Sequence, residues 1–175
     1  MTRGSREDAP IEVVPYRPEW PALFQAEREV LETALAPWLT GPIEHIGSTA
    51  VPGLAAKPLI DIMAPVATLD GSVAAIDAAR TVGYHFYPYL PEAMYWFCKP
   101  SPAHRTHHLH LVPLGSPRWV RTLAFRDALR ASPDLASAYE ALKLELAQRY
   151  RNDRESYTQA KSGFVERVFQ GAGSP

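Results

Sequence analysis

Hydrophobic and polar positions follow two different periods along the chain, and the change of period marks the predicted elements. From Pro18 onward apolar residues recur at helical spacing, which predicts a first helix that ends near Pro37. An alanine-rich stretch at 70–82 predicts a second helix, for which Gly83 is a natural stop. Short runs rich in β-branched and aromatic residues predict strands at 11–14, 43–46, 59–66, 84–87, 94–99 and 108–112.

The last third of the chain is predicted to be helical. Ser116-Pro117 and Ser132-Pro133 each place an N-capping serine before a first-turn proline, and a final helix is expected from about 153 to 169. The fold class is therefore α+β, with a mixed β-sheet, helices on one face and a C-terminal helical extension. We expect a single domain over 10–170, its sheet core reaching about 114 and its C-terminal helices spanning 116–170. The tails 1–9 and 171–175 are expected to be disordered.

Strand parity brings three polar side chains to one side of the predicted sheet. In LIDIM the two isoleucines share the core face, so Asp61 points to the other face. In HHLHL the leucines share one face, and His108 and His110 share the opposite one. If these strands are neighbours, Asp61 and the histidine pair converge. Such a set could bind a divalent metal or could act as an acid and base near neutral pH.

Each of these groups also has a structural explanation. A His-x-His pair on a strand often forms only a polar outer face, and a lone aspartate can be a satisfied buried carboxylate. Gly47-Ser48 forms a turn that could bring backbone N–H groups to a phosphate, with Thr49 beside it, but such turns are common. The glycine turn therefore becomes evidence for a phosphate site only together with other groups.

Two lysines could serve the same pocket. Lys161 falls on the apolar stripe of the last helix, four residues after Tyr157, where its charge needs an anion or a path to solvent. A triphosphate and a structural carboxylate are equally good partners. Lys57 precedes the Asp61 strand and could be a solvated loop residue instead. His45, Arg105 and Tyr157 are secondary candidates for the site.

Composition narrows the function classes. The chain has 175 residues with 18 basic and 19 acidic side chains, so it carries no strong nucleic-acid signature. Its one cysteine, Cys98, excludes an internal disulfide and is expected to be an inert buried thiol. No apolar run is long enough to span a bilayer, and we therefore expect a cytoplasmic protein that binds a small molecule or nucleotide and no membrane. The oligomeric state stays open.

Several segments resemble one known family. IEHIGSTAVPGLAAKPLIDI, RTHHLHLV, LAFRDALRASPDLASAYEALKLELAQRY and YTQAKSGFV are similar to the GrpB-like family of predicted nucleotidyltransferases, and the resemblance runs from about Ile11 to Phe169. It implies the polymerase-β-type nucleotidyltransferase fold. Relatives of this domain are also found appended to some bacterial dephospho-CoA kinases.

The resemblance also implies a departure from the superfamily's metal site. The superfamily pattern is a Gly-Ser turn, filled here by Gly47 and Ser48, followed by Asp-apolar-acidic on one strand. Asp61 fills the first acidic position, and Met63 stands at the second. The third carboxylate is replaced by the strand that carries His108 and His110. One aspartate and a thioether cannot hold a pair of Mg²⁺ ions, which need bridging oxygen ligands about 4 Å apart.

Three functional hypotheses follow. The first is a nucleotidyltransferase with a divergent active site, which uses a nucleoside triphosphate and a divalent metal such as Mg²⁺, Mn²⁺ or Zn²⁺. In it Asp61, His108 and His110 are catalytic or metal-ligating, whereas Gly47, Ser48, Thr49, Lys57 and Lys161 bind phosphate. The second is a catalytically degenerate module that binds a nucleotide or a precursor of coenzyme A. The third, suggested by the RTHHLH segment, is a metal-dependent hydrolase.

Overall fold

The computed structural model describes residues 9–171, and within that range a five-stranded sheet is combined with five α-helices. The strands are β1 (Glu44–Ile46), β2 (Ile60–Val66), β3 (His85–Tyr87), β4 (Tyr95–Pro100) and β5 (Arg105–Pro113). The helices are α1 (Trp20–Ala34), α2 (Ala75–Thr81), α3 (Pro117–Ala131), α4 (Pro133–Arg149) and α5 (Arg154–Gly171). The strand order is β1-β2-β5-β4-β3. Only β2 and β5 run parallel within this sheet, and the α+β prediction with a mixed sheet is confirmed.

The first two helices cover one face of the sheet. Ile60 and Ile62 of β2 and Leu109 and Leu111 of β5 are at most 2% exposed, and they pack against apolar residues of α1 and α2. Their burial on this face fixes the register of both strands, because a shift by one residue would turn them to the other side. The polar residues that alternate with them are thereby held on the opposite face, which we call the open face.

The C-terminal helices pack beside and partly over the open face. Trp119 of α3 joins Met63 and Trp96 in an apolar cluster at one end of this face. Farther along, α3, α4 and α5 enclose residues of the loop between β1 and β2, among them Val51 and Leu54. This packing brings two helices that are distant in sequence to the turn that follows β1.

Two sequence predictions need correction. Residues 11–14 do not form a strand, since Val14 forms only an isolated bridge with Ala56, whereas the N–H of Ile11 bonds the carbonyl of Arg151. The segment is thus tied to two different elements and runs along neither. The helix predicted at 70–82 is interrupted, because a 3₁₀ turn occupies Asp70–Ser72 and α2 begins only at Ala75.

The ends of the chain bear on the domain boundaries. The predicted disordered tails lie almost entirely in 1–8 and 172–175, outside the described residues, and α5 extends to Gly171. No helix within residues 9–171 is both long and apolar enough to cross a membrane.

Candidate functional site

Asp61, His108 and His110 meet on the open face, as strand parity predicts. Asp61 pairs with His108 in the parallel β2–β5 register, and Met63 pairs with His110. Asp61 Oδ1 lies 3.0 Å from His108 Nδ1 and 3.7 Å from His110 Nε2. The three side chains are 12–26% exposed, so the cluster is recessed but can be reached from solvent.

The contact with Asp61 fixes the protonation of His108. Although burial favours the neutral acid, the hydrogen bond from His108, together with the nearby ring of His110, holds the pKa of Asp61 well below its usual range. An ionised carboxylate only accepts hydrogen bonds, so Nδ1 of His108 carries the proton and donates it. Burial lowers the pKa of His108, which keeps the ring neutral, and its Nε2 is buried without a hydrogen-bond partner among the described residues. His108 therefore offers an unused lone pair beside a fixed negative charge.

Gly47 brings the main chain directly over the Asp61 carboxylate. Its φ is +72°, and a Cβ added there would lie 2.6 Å from Asp61 Oδ2. Both the backbone conformation and the close approach require glycine at this position. The Gly47-Ser48 turn and Asp61 thus form one continuous surface, which is the arrangement that the phosphate-site prediction needs.

Lys57 and Lys161 both lie close to one buried aromatic ring. Their ammonium groups are 5.0 and 4.3 Å from the ring centre of Tyr157, which is fully buried. Burial, followed by the charge of Lys57, lowers the pKa of Lys161 to about 7. In the described part of the chain Lys161 forms no direct ion pair, and the more distant carboxylate of Asp61 only partly offsets the cost of burying its charge.

Sequence reasoning missed a third lysine beside this pair. Lys143 of α4 is 2% exposed, its ammonium donates to the carbonyl of Ala55, and burial lowers its pKa to about 8. Four residues earlier lies Tyr139, whose hydroxyl is hydrogen-bonded to Ser48. The signal was present in the sequence, because Tyr139, Lys143 and Leu146 share one helical stripe, just as Tyr157 and Lys161 do.

Thr49 and His45 support the Gly47-Ser48 turn through buried contacts. The hydroxyl of Thr49 donates to the carbonyl of Leu59 and accepts from Nε2 of His45. His45 is stacked on Phe24, with ring centres 4.6 Å apart. Both residues are at least 93% buried, and Thr49 Oγ1 and His45 Nε2 are hydrogen-bonded within the protein. These contacts position Gly47 and Ser48.

Sulfur-bearing side chains lie beside the cluster. Met63, at the second acidic position of the superfamily pattern, is 1% exposed and belongs to the same apolar cluster as Met94 and Cys98. The sulfur of Met94 lies 3.3 Å from Nδ1 of His110. Burial raises the pKa of the Cys98 thiol, which fits the prediction of an inert thiol. A pair of Mg²⁺ ions does not fit these residues, because Mg²⁺ requires oxygen ligands.

A single ion of another kind does fit. Asp61, His108 and His110 offer one oxygen and two nitrogen ligands, all within 4.8 Å of one another. Tetrahedral Zn²⁺ with bonds of about 2.0–2.1 Å places neighbouring ligands about 3.4 Å apart, between the 3.0 and 3.7 Å found here. His108 could join such a site only after losing its Nδ1 proton. Asp61 and His110 can bind an ion without that loss.

The burial of His45 predicts a pH-dependent stability. Burial lowers its pKa from 6.5 to about 4, so between these values the unfolded chain binds a proton that the folded chain does not. The free energy of unfolding should therefore fall by about 3 kcal/mol from this group as the pH drops from 7 to 4. When the free energy of unfolding is measured by denaturant unfolding across this pH range, it should depend less steeply on pH in His45→Gln than in the wild type. The exposed control His104→Gln should keep the wild-type slope, and an unchanged slope in His45→Gln would contradict this assignment.

Comparisons with known proteins match nearly the whole chain. A family model described as "GrpB protein" matches residues 10–171. The chain is 43% identical over 170 residues to the UPF0157 protein PA4798 of Pseudomonas aeruginosa, covering 94% of this chain and 69% of the relative.

Two solved structures show the same fold. Protein GrpB from Enterococcus faecalis superposes with a TM-score of 0.82 at 32% identity, covering 92% of this chain and 96% of that one. Cid1, solved in complex with a UTP analogue, has a TM-score of 0.53 at 10% identity and covers 78% of this chain and 43% of that one. At this identity the Cid1 match supports a shared fold and nothing finer.

One distant relative contains the domain within a larger protein. A dephospho-CoA kinase of Mycolicibacterium paratuberculosis is 29% identical over 189 residues. The match covers 94% of this chain but only 46% of the kinase. The resemblance to part of some dephospho-CoA kinases, expected from sequence, is confirmed at that level.

Proposed function

The chain belongs to the GrpB family, and we propose that its site binds a nucleoside triphosphate and transfers the nucleotidyl group to a hydroxyl-bearing acceptor. The Cid1 structure of the same fold holds a UTP analogue, which makes nucleoside triphosphates the first ligands to test. The observation that carries the proposal is the desolvated ammonium of Lys161, which forms no direct ion pair among residues 9–171 and lies within electrostatic reach of Asp61.

The lysines supply the charge that a triphosphate requires. The chain has four lysines, and three of them, Lys57, Lys143 and Lys161, lie close enough to influence one another's pKa. Asp61 acts on the pKa of Lys161 as well, so the ammonium groups and the carboxylate belong to one site. In the proposed complex the β- and γ-phosphates lie at Lys57 and Lys161, and the α-phosphate lies at the Gly47-Ser48 turn. A bound polyanion favours the charged form of Lys161.

The transfer step uses the unpaired nitrogen of His108. The acceptor oxygen forms a bond to the α-phosphorus, and the bond from that phosphorus to the bridging oxygen of the β-phosphate breaks. Pyrophosphate leaves with the electron pair of that bond, and Lys57 and Lys161 neutralise its charge. The acceptor proton passes to Nε2 of His108, which is buried in the free protein and must become accessible when the acceptor binds. Asp61 holds Nδ1–H and stabilises the imidazolium that forms.

We propose that the metal, where one is used, is a single ion such as Zn²⁺ or Mn²⁺. Asp61 and His110 would hold it, and His108 would be a third ligand in the alternative state without its Nδ1 proton. Mixed nitrogen and oxygen ligands suit these ions better than Mg²⁺. When bound, the ion would partly neutralise the negative charge of the α-phosphate.

Replacing Lys161 by methionine is expected to weaken triphosphate binding without lowering the thermal stability of the protein. The variant should bind inorganic triphosphate at least about tenfold more weakly, because a charge-assisted contact worth roughly 1.5–3 kcal/mol is lost. Its melting temperature should stay the same or rise, since an unpaired desolvated charge is removed. Isothermal titration with inorganic triphosphate and thermal unfolding measure the two effects.

Lys99→Met is the matched control. Lys99 is the remaining lysine of the chain and forms an ion pair with the buried Glu27 on the other side of the sheet, at 2.6 Å. Its loss leaves Glu27 without its charge partner, so this variant should melt at a lower temperature and bind triphosphate like the wild type. Wild-type triphosphate affinity in Lys161→Met would remove Lys161 from the phosphate site.

A second candidate function is a degenerate module that binds a nucleotide or a coenzyme A precursor without chemistry. The buried Met63 at the second acidic position favours it, as does the match to dephospho-CoA kinases. This candidate predicts ligand-induced thermal stabilisation with no product after long incubation with metal. Detection of a nucleotidylated acceptor would exclude it.

A further inference from the structure

An aromatic wall extends from His108 across β4 and β3 toward the edge of the sheet. Tyr87 of β3 pairs with Trp96 of β4, and their rings are 6.2 Å apart, centre to centre. The ring centre of Trp96 lies 4.7 Å from that of His108. Tyr89, in the loop that follows β3, packs edge-on against the same tryptophan at 6.3 Å. The open face therefore carries a continuous row of rings that ends at the candidate base.

The two tyrosines of this wall are presented to solvent. Tyr87 and Tyr89 are 49% and 48% exposed, whereas Trp96 between them is only 8% exposed. Trp96 thus acts as a rigid support that holds two exposed aromatic faces in place. Exposed aromatic faces of this kind are surfaces on which planar rings stack.

Two guanidinium groups accompany the wall. The guanidinium of Arg105 lies 5.3 Å from the ring centre of Trp96, and Arg118, at the start of α3, is within electrostatic range of Tyr89. Neither forms an ion pair with a carboxylate in the part of the chain that the structure describes. The wall therefore combines stacking surfaces with positive charge that forms no ion pair among residues 9–171.

The geometry of nucleotidyl transfer indicates which ligand binds on the aromatic side of the site. In-line displacement requires the attacking oxygen and the leaving pyrophosphate to lie on opposite sides of the α-phosphorus. The Gly47-Ser48 turn follows β1 and Lys57 precedes β2, whereas the wall lies beyond β5, on β4 and β3. With pyrophosphate on the lysine side, the acceptor approaches from the aromatic side.

We infer that the wall formed by Tyr87, Tyr89, Trp96, Arg105 and Arg118 binds the acceptor, and that the acceptor is a small nucleoside phosphate. This inference rests on the proposed function. The two strand spacings from His108 to Tyr87 span about 10 Å, enough for one nucleoside with its base at the tyrosines and a hydroxyl at His108. The balance of 18 basic and 19 acidic residues favours a free nucleotide over a nucleic acid end.

Binding of AMP by tyrosine variants tests the inference. Isothermal titration should show AMP affinity lowered at least about tenfold in the double variant Tyr87→Ala/Tyr89→Ala. It should be retained in Tyr87→Phe/Tyr89→Phe, which keeps both rings. Binding of inorganic triphosphate should be the same in all three proteins. In Lys161→Met, by contrast, triphosphate affinity should fall and AMP affinity should stay at the wild-type value. Should the alanine variant fail to fold, Arg105→Gln replaces it, with AMP affinity expected to fall and adenosine affinity to stay unchanged.

The outcomes separate this inference from the proposed function. Wild-type AMP affinity in the alanine variant, or no AMP binding by a wild-type protein that binds triphosphate, overturns the acceptor site alone. Absence of triphosphate binding overturns the proposed function as well. A short oligoadenylate that binds more than tenfold tighter than AMP would overturn the assignment to a small acceptor.

Discussion

Asp61→Asn is expected to lower the rate of nucleotidyl transfer by about 10³–10⁴-fold, in line with the loss seen when the aspartate of an Asp-His pair is replaced by asparagine. The amide can donate a hydrogen bond, which allows Nδ1 of His108 to lose its proton and places the proton on Nε2. The base is then blocked, and the only carboxylate of the cluster is gone. Because Asn has almost the same volume and keeps a contact with His108, the melting temperature should change by only a few degrees.

The measurement is pyrophosphate release from nucleoside triphosphate in the presence of an extract of small metabolites, with and without Mn²⁺ or Zn²⁺. Asp127→Asn is the matched control, since Asp127 is an exposed residue of α3 that pairs with Arg126, away from the cluster. It should retain wild-type activity. A fully active Asp61→Asn protein would exclude Asp61 from the mechanism.

Gly47→Ala is expected to damage both stability and binding, whereas Gly53→Ala should affect neither strongly. Both glycines have positive φ, +72° and +82°, so each substitution carries a backbone cost of about 1–2 kcal/mol. Only the Cβ at position 47 would also meet the Asp61 carboxylate, at 2.6 Å, while nothing lies within 4 Å of a Cβ at position 53. The difference between the variants isolates the contact between the turn and the carboxylate.

We expect Gly47→Ala to lose roughly 3 kcal/mol or more of unfolding free energy and to bind triphosphate at least about tenfold more weakly. Gly53→Ala should lose about 1–2 kcal/mol and bind normally. Urea denaturation and titration with inorganic triphosphate measure both quantities. Equal effects of the two substitutions would mean that the turn does not depend on its approach to Asp61.

The sequence predicted the cluster because parity on a strand is a local property. The isoleucines and leucines beside Asp61 and His108 identify the buried face, and the polar residues between them must face the other way. Parity could not show that β2 pairs with β5, because the residues that meet, such as Asp61 and His108, are 47 positions apart in the chain. That pairing was an assumption, and the β-sheet confirms it.

Features that depend on distant packing could not be read in the same way. Lys143 and Tyr139 reach the site only because α4 packs over the loop between β1 and β2, and no local pattern shows which element a helix will cover. The segment 11–14 has the composition of a strand, but it lacks a neighbour with which to form a ladder. The sequence therefore predicted the carboxylate–histidine half of the site better than its cationic half.

In the proposed function, the phosphate-binding residues and the metal-binding residues belong to one site. Titration of a non-hydrolysable triphosphate analogue into the protein, with and without saturating Mn²⁺ or Zn²⁺, measures their coupling directly. If the two sets of residues form one site, the ion should raise the affinity for the analogue at least about fivefold in the wild type. This increase in affinity should disappear in Asp61→Asn. Identical analogue affinity with and without the ion, in a wild-type protein shown to bind both, would contradict it.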